Sequence, residues 1–342
     1  MVMHFSHVKK FIPSIDSSLK RLEIFLILNA MKSHNQESFY SREENTINQY
    51  FKSLNDRDLY ISLEKLPSFP YKIKKFPLNS KSGFIFSFKT PYRPNKYFKE
   101  SWEEMRDYHD VKVHYFPFKK KTKGIKRRAL IYIHGWGKGS LLGERLWHFR
   151  IFQWKYKADI FAIELPYHMS RNPAGFSGQG FLDKDPIRTV EGFRQSIIEV
   201  MYLFKGLQQI YDDIGISGIS LGGHIASYIG MFISEDIFLL ACLAGTPFAQ
   251  NLKNLKISPN LLNYVRKNDI QKYLQVLDYR NFHTRNKKNE FLFGGRFDSI
   301  IDSKTVLRLG KHLKCKTYIV PTGHFTFAFS LPYIASKIAK WD

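Results

Sequence analysis

The sequence has very little cysteine. Only Cys242 and Cys315 occur among its 342 residues, and each lies in or beside an apolar run. Two isolated thiols give neither a disulfide framework nor a cysteine-based metal site. This absence predicts a protein of a reducing compartment, and a cytoplasmic location is the simplest expectation.

Long apolar runs are also absent from the sequence. The early apolar run at residues 24–28 is far too short to cross a bilayer, and no small-residue cleavage signal accompanies it. We therefore expect neither a signal peptide nor a transmembrane helix. Residues 14–32 have the apolar spacing of an amphipathic helix that docks on the main domain, and a helix lying on a membrane surface is the alternative.

Acidic residues are in short supply relative to basic ones. The chain has 53 Lys and Arg against 30 Asp and Glu, a formal net charge of +23. Such an excess attracts polyanions without specificity. The basic residues are nevertheless spread along the whole chain. The one dense run, at 119–128, reads as a solvated linker or hairpin tip before a buried strand, and an anion-binding patch is the alternative. We expect no specific nucleic-acid partner, and peripheral membrane contact is a weaker alternative.

Apolar runs alternate with helical spacing from Ala129 onward, which is typical of a mostly parallel sheet covered by helices on both faces. The predicted strands are 83–89, 111–118, 129–133, 160–164, 214–218, 237–243, 290–293 and 317–320. The predicted helices are 43–54, 98–108, 141–155, 190–211, 222–232, 305–313 and 325–340. The fold class is therefore α/β, and the first two strands form its antiparallel edge.

These elements suggest how the chain divides. We expect residues 1–80 to form a partly helical N-terminal extension and residues 81–342 to form the main domain, with the antiparallel edge strands in 81–128. A small helical cap is predicted at 246–288. The long segment 166–186 follows a strand and is rich in Gly, Pro and aromatic residues, so it reads as a lid or a pocket wall.

One short segment carries the strongest chemical signal. Gly218-Ile219-Ser220-Leu221-Gly222 matches G-x-S-x-G, with an apolar strand before it and a helical pattern after it. Glycines on both sides allow a strand-to-helix turn so tight that the serine hydroxyl projects outward. The pattern predicts Ser220 as a nucleophile. The alternative is that small residues crowd this corner for packing alone.

A serine nucleophile needs a base and an acid that orients the base. Asp298 follows a predicted strand through a glycine turn, and so does His324. Both would lie at the same edge of the sheet as Ser220, in the chain order Ser, Asp, His. Asp302 is the alternative acid, and a surface-loop histidine is the alternative interpretation of His324.

The loop after the first parallel strand reads His134-Gly135-Trp136-Gly137, which can turn backbone amides toward an oxyanion. We assign the amides of Trp136 and Leu221 to this role, with Gly135 or Gly137 as alternatives for the first. His134 and His224 are interpreted as structural. No residue spacing indicates a metal site, and no motif indicates a cofactor.

Taken together, HGWG at 134–137, GISLGG at 218–223, GGRFD at 294–298 and GH at 323–324 resemble the α/β-hydrolase superfamily. The turn at 165–168 also resembles that of poorly characterised members with extra N-terminal structure. The resemblance implies an eight-stranded, mostly parallel sheet and a triad of Ser220, Asp298 and His324. It does not cover residues 1–80.

The motifs predict a serine hydrolase that cleaves a small-molecule carboxylic ester or thioester through an acyl-enzyme. An acyltransferase with the same triad and a non-catalytic binding module of the same fold are the alternatives. Aromatic and apolar residues near the expected mouth predict an apolar pocket: Trp136, Tyr167, Met169, Phe176, Phe181, Phe248 and Phe297. A basic rim is expected from Arg171, Arg188 and Arg296.

Overall fold

A computed structural model of the chain describes residues 43–54, 63–69, 83–118, 126–173, 175–182, 185–247, 270–282, 284, 289–338 and 341, together with Ser14, Ile15, Ser17, Ser18 and Arg21. Several predictions fall outside the described residues. They are most of the N-terminal helix at 14–32, most of the basic run at 119–128, and Phe248 with most of the cap at 246–288.

Eight strands form one sheet. They are β1 (Phe84–Lys89), β2 (Asp110–Phe116), β3 (Arg128–Ile133), β4 (Ala158–Ile163), β5 (Asp213–Ile219), β6 (Phe238–Cys242), β7 (Glu290–Gly295) and β8 (Lys316–Val320). Their spatial order is β1-β2-β4-β3-β5-β6-β7-β8. β2 pairs antiparallel with β1 and β4, and all other pairs are parallel. The predicted eight-stranded, mostly parallel sheet is confirmed.

Burial along the strands follows their place in the sheet. β4, β6 and β7 are buried at every position, whereas β1 alternates between exposed and buried side chains. Continuous apolar runs suit strands covered on both faces, and alternation suits an edge with one face in water. The sequence pattern and the position of each strand therefore agree.

The helices are α1 (Glu44–Ser53), α2 (Lys99–Glu103), α3 (Leu142–Leu146), α4 (His148–Tyr156), α5 (Pro186–Leu207), α6 (Leu221–Phe232), α7 (Ile270–Tyr273), α8 (Ser303–Leu313) and α9 (Leu331–Lys337). Helices cover both faces of the sheet. Ile131 of β3 belongs to the apolar cluster with α5, α6 and α8, whereas Leu130 belongs to the cluster with α4 and α9.

Four predicted helices were wrong in detail. The helix expected at 98–108 is α2 followed by a separate 3-10 turn over Arg106–Tyr108. The helix expected at 141–155 is two helices, because the backbone at Trp147 leaves the helical region (φ −125°, ψ −66°). The one expected at 325–340 begins as a 3-10 turn over Phe325–Ser330. The helix at 190–211 begins earlier, at Pro186, where Asp185 caps it by accepting a hydrogen bond from the Ile187 amide. An Asp-Pro pair is a standard helix start, and apolar periodicity alone misses it.

The described part of the N-terminal region packs directly on α5. The hydroxyl of Tyr50 on α1 donates to Glu191 Oε1 at 2.6 Å, and Tyr92 bonds the other carboxylate oxygen. Glu191 is fully buried, and Arg194 pairs with it. A buried carboxylate is stable only with such partners, so these contacts fasten the region to the core. The domain boundary at residue 80 stays a prediction.

Candidate active site

Ser220 lies in a strained turn between β5 and α6. Its backbone has φ +56° and ψ −118°, which a non-glycine residue rarely adopts. A Cβ atom on Gly218 would lie 2.0 Å from the Gly222 carbonyl oxygen, and one on Gly222 would lie 2.1 Å from the Ile133 carbonyl oxygen. Both positions therefore require glycine. The two flanking glycines of G-x-S-x-G permit a turn that places Ser220 at the carboxyl end of the sheet.

The structure brings together the three residues predicted for the triad. Nε2 of His324 lies 3.1 Å from Oγ of Ser220, which is 104 positions away in the chain. Nδ1 of the same ring lies 2.8 Å from Oδ2 of Asp298. Each residue follows the carboxyl end of a different parallel strand, β5, β7 or β8. The imidazole therefore bridges a hydroxyl and a carboxylate.

The carboxylate of Asp298 is fully buried, while the His324 side chain is 11% exposed. Its other oxygen, Oδ1, accepts hydrogen bonds from the amides of Ile300 and Ile301, both at 2.8 Å. A buried carboxylate held in this way accepts a hydrogen bond from Nδ1–H, which leaves Nε2 unprotonated and able to take the proton of the serine hydroxyl. Asp302, the alternative acid, instead caps α8 through the Lys304 amide.

The loop after β3 lies against the nucleophile turn, since a Cβ atom on Gly135 would be 3.4 Å from the Cβ of Ser220. Within the described part of the chain, the amides of Trp136 and Leu221 have no hydrogen-bond acceptor. Leu221 is the first residue of α6, where the helix dipole favours negative charge. Both amides are thus available to an oxyanion, and Gly135 or Gly137 stays the alternative to Trp136.

Comparison with solved structures bears on the fold. An acetyl xylan esterase from Paenibacillus sp. R4 aligns over 88% of this chain and 96% of its own, with 14% identity and a TM-score of 0.54. Acetyl xylan esterase 1 from Thermoanaerobacterium sp. aligns over 83% and 93%, with 15% identity and a TM-score of 0.47. An esterase from Pyrococcus furiosus aligns over 80% and 93%, with 15% identity and a TM-score of 0.48.

The first of these likenesses, together with the strand order, decides the architecture. The chain has the α/β-hydrolase fold. No family model matches the sequence, and no curated protein matches it. The fold expected from the four motifs is confirmed, and activity is taken up below as a proposal.

Two buried histidines support the loops around this site. Nδ1 of His134 lies 2.9 Å from the Gly135 carbonyl oxygen, and its Nε2 accepts from the Leu165 amide at 3.1 Å. His224 shares a 2.7 Å hydrogen bond with the Tyr279 hydroxyl. Burial lowers the pKa of His134 to about 4 and that of His224 to about 3. Both rings are neutral near pH 7, and their contacts fit the structural role that we predicted.

The segment after β4 is a fixed wall. The Trp136 indole donates to the Gly178 carbonyl at 2.6 Å, and its ring lies 5.6 Å from that of Phe176, edge to face. Arg171 forms two hydrogen bonds to Glu199 of α5, at 2.7 and 2.9 Å, with both side chains 1% exposed. A buried bidentate ion pair of this kind resists opening.

These contacts correct two expectations about the mouth of the site. Arg171 and Arg188 are buried, and only Arg296 of the expected basic rim is exposed. The rim was predicted from charge alone, which does not distinguish a buried ion pair from a solvated cation. Tyr167 and Phe181 are also buried and pack in the core, so they do not line an open pocket.

The described residues contain no group of three or more His, Cys, Asp or Glu that could hold a metal ion. None of their helices is long and apolar enough to pass through a bilayer. The cytoplasmic location stays a prediction.

Proposed function

We propose that this protein is a serine hydrolase that cleaves a carboxylic ester or thioester through an acyl-enzyme. The observation that supports it most is the position of His324, 3.1 Å from Ser220 Oγ and 2.8 Å from Asp298 Oδ2. Esterases are among the solved structures that this chain is similar to. A hydroxyl, an imidazole and a carboxylate in such an arrangement, at the carboxyl ends of three strands, match the needs of acyl transfer.

In the first half-reaction, Oγ of Ser220 attacks the substrate carbonyl carbon while Nε2 of His324 takes the hydroxyl proton. Asp298 keeps the Nδ1 proton in place and stabilises the imidazolium that forms. The carbonyl electrons move onto oxygen, where the Leu221 and Trp136 amides donate hydrogen bonds. Collapse of this intermediate breaks the bond to the alcohol or thiol, which leaves with the proton from His324.

In the second half-reaction, water attacks the acyl-serine ester and gives a proton to Nε2 of His324. The second oxyanion uses the same two amides. Its collapse releases a carboxylic acid and returns the proton to Ser220 Oγ. The neutral His134 and His224 hold the surrounding loops in place and take no proton in this cycle.

The half-buried side chains beside the loop after β3 support an apolar acyl or alkyl group. Trp136, Phe176 and Met169 are partly exposed here, and the fixed wall holds the first two together. Apolar walls with a few convergent polar groups are typical of small-molecule sites. We therefore expect esters of apolar acids to be better substrates than esters of charged acids.

The experiment is steady-state hydrolysis of p-nitrophenyl esters from acetate to palmitate and of matching thioesters. Ser220→Ala should lower kcat by about 10⁴-fold or more, because the nucleophile is lost. Ser227→Ala is the matched control, since its hydroxyl bonds the Gly223 carbonyl inside the same helix, and it should retain turnover. Equal turnover by wild type and Ser220→Ala would contradict the proposal. Acylation of an added alcohol in place of water would indicate an acyltransferase.

A further inference from the structure

Six large apolar side chains are exposed on three neighbouring helical segments. We call this set the apolar face: Leu142 (61% exposed), Leu146 (53%), Trp147 (48%), Trp154 (77%), Phe329 (76%) and Tyr333 (47%). Single exposed apolar residues are ordinary, but a cluster marks an interaction surface. None of the six has a role in the proposed chemistry.

The six residues form one surface. Leu142 and Leu146 are one turn apart on α3, and Trp154 follows Trp147 by two turns along α4. The Trp147 indole donates to the Ala328 carbonyl at 3.0 Å, which joins the start of α4 to the turn that carries Phe329. α4 also packs on α9, which carries Tyr333. The apolar face thus runs from the catalytic edge of the sheet down its outer helices.

The charge around the apolar face is strongly positive. The segment 138–157 carries five basic residues: Lys138, Arg145, Arg150, Lys155 and Lys157. Its single acid, Glu144, is buried and pairs with Lys138 at 2.6 Å. At least four cations therefore lie on these helices without a partner acid in the same segment, on a chain of net charge +23.

An open cleft adjoins this surface. A cavity of about 370 Å³ lies between the outer strands and the start of α3, and Leu142 and Arg145 belong to its lining. Its other walls include Phe84, Ile85 and Phe116. An apolar cleft with a cation at its edge suits a molecule with an apolar tail and an anionic head.

We propose that the apolar face docks on the surface of a bilayer that contains anionic phospholipid. Exposed Leu, Phe and Trp side chains enter the boundary between headgroups and acyl chains, and the surrounding Lys and Arg attract anionic headgroups. Because Phe325 packs edge to face on His324 at 5.4 Å, the same turn links the apolar face to the site. Docking would then present lipid-borne esters to Ser220, a step that rests on the proposed function.

Two other occupants fit the surface less well. A second copy of the chain would bring two basic faces together, and like charges oppose such a contact. A single-stranded nucleic acid needs aromatic rings on which bases stack. Four of the six side chains are aromatic, but Leu142, Leu146 and the apolar cleft beside them suit an acyl chain better than a stacked base.

The experiment is co-sedimentation of the full chain with vesicles of phosphatidylcholine alone or with about 30 mol% phosphatidylglycerol. The second composition gives the vesicle a negative surface, as in the cytoplasmic leaflet. Wild type should sediment with the anionic vesicles, less so as salt is raised. The double variant Leu142→Gln/Leu146→Gln should bind about tenfold more weakly, because apolar contact is lost. Arg145→Glu/Arg150→Glu should weaken binding by at least about 25-fold, at roughly fivefold for each arginine lost.

Matched controls lie on α8, on the other face of the sheet. Leu307 is 50% exposed there, and Lys304 and Lys311 are exposed cations. Leu307→Gln and Lys304→Glu/Lys311→Glu should bind vesicles like wild type. Failure of wild type to sediment, or equal losses in these controls, would overturn the proposal. So would a dimer that Leu142→Gln/Leu146→Gln dissociates, or RNA binding that the same variant abolishes. Vesicle binding needs no turnover, so Ser220→Ala should bind vesicles like wild type. The docking proposal is therefore tested even if the wild-type protein hydrolyses no ester.

Discussion

Asp298 and His324 share a 2.8 Å contact between Oδ2 and Nδ1 across 26 positions of the chain, and Asp302, only four residues beyond Asp298, caps a helix. We therefore expect Asp298→Asn to lower kcat by about 10⁴-fold, because an amide favours the wrong imidazole tautomer. Asp302→Asn should keep kcat, since asparagine also caps helices well. Ester turnover and thermal unfolding of both variants check this, and equal losses would contradict it.

The nucleophile turn gives a steric prediction. Gly218→Ala places a methyl group about 2.0 Å from the Gly222 carbonyl oxygen, so the backbone must move. We expect a loss of activity together with destabilisation by several kcal/mol, on the order of an overpacked core. Gly139→Ala is the matched control, because a Cβ atom there meets nothing within 4 Å. Denaturant titration compares the two, and similar midpoints would show that the turn tolerates a side chain.

The wall after β4 depends on a buried ion pair. Arg171→Met leaves the carboxylate of Glu199 buried without its cation, which costs about 3–5 kcal/mol of unfolding free energy. Lys99→Met removes only an exposed pair with Glu103 and should change stability by less than about 0.5 kcal/mol. The double variant Arg171→Met/Glu199→Leu should recover much of the loss. If the double variant is no more stable than Arg171→Met, the unpaired Glu199 carboxylate is not the cause of the lost stability.

Acid stability provides a test that does not involve catalysis. Burial, with a smaller contribution from Lys138, lowers the pKa of His148 to about 4. Between pH 6.5 and 4 the unfolded chain therefore binds a proton at His148 that the folded chain does not bind. The free energy of unfolding is therefore unaffected by this proton above pH 6.5 and falls as the pH drops from 6.5 to 4. His148→Phe should reduce the slope of the unfolding free energy against pH in this range by up to about 1.4 kcal/mol per pH unit.

Neither ring nitrogen of His148 has a hydrogen-bond partner among the described residues. The substitution therefore loses no hydrogen bond, and the phenyl ring can keep the packing beside Tyr132. Urea unfolding at pH 4.5 and pH 8 measures the effect. The variant should gain stability relative to wild type on going from pH 8 to pH 4.5, and an unchanged difference would contradict the assignment of a neutral buried ring.

The sequence predicted the sheet and the meeting of Ser220, Asp298 and His324 because both depend on local patterns. Apolar runs mark the buried strands, and glycines within four residues of Ser220, Asp298 and His324 mark tight turns at strand ends. Since carboxyl ends of parallel strands share one edge, chain order was enough to expect the three residues to meet there. The 3.1 and 2.8 Å contacts agree with that reasoning.

What the sequence could not predict depends on long-range packing. Arg171 looked like a surface cation because its partner, Glu199, lies 28 positions away on α5. The helix breaks at Trp147, whose indole bonds the carbonyl oxygen of Ala328, far along the chain. The apolar face likewise combines α3, α4 and the turn before α9, and no local period indicates that these segments adjoin.

Labelling of the native chain with a fluorophosphonate probe, followed by mass mapping of the modified peptide, tests the central claim most directly. The probe reacts with an activated serine and needs no knowledge of the substrate. We expect a single modification at Ser220, slower labelling of Asp298→Asn and none of Ser220→Ala. Modification of a different serine, or no reaction of the folded wild-type chain, would contradict the assignment of Ser220 as an activated nucleophile.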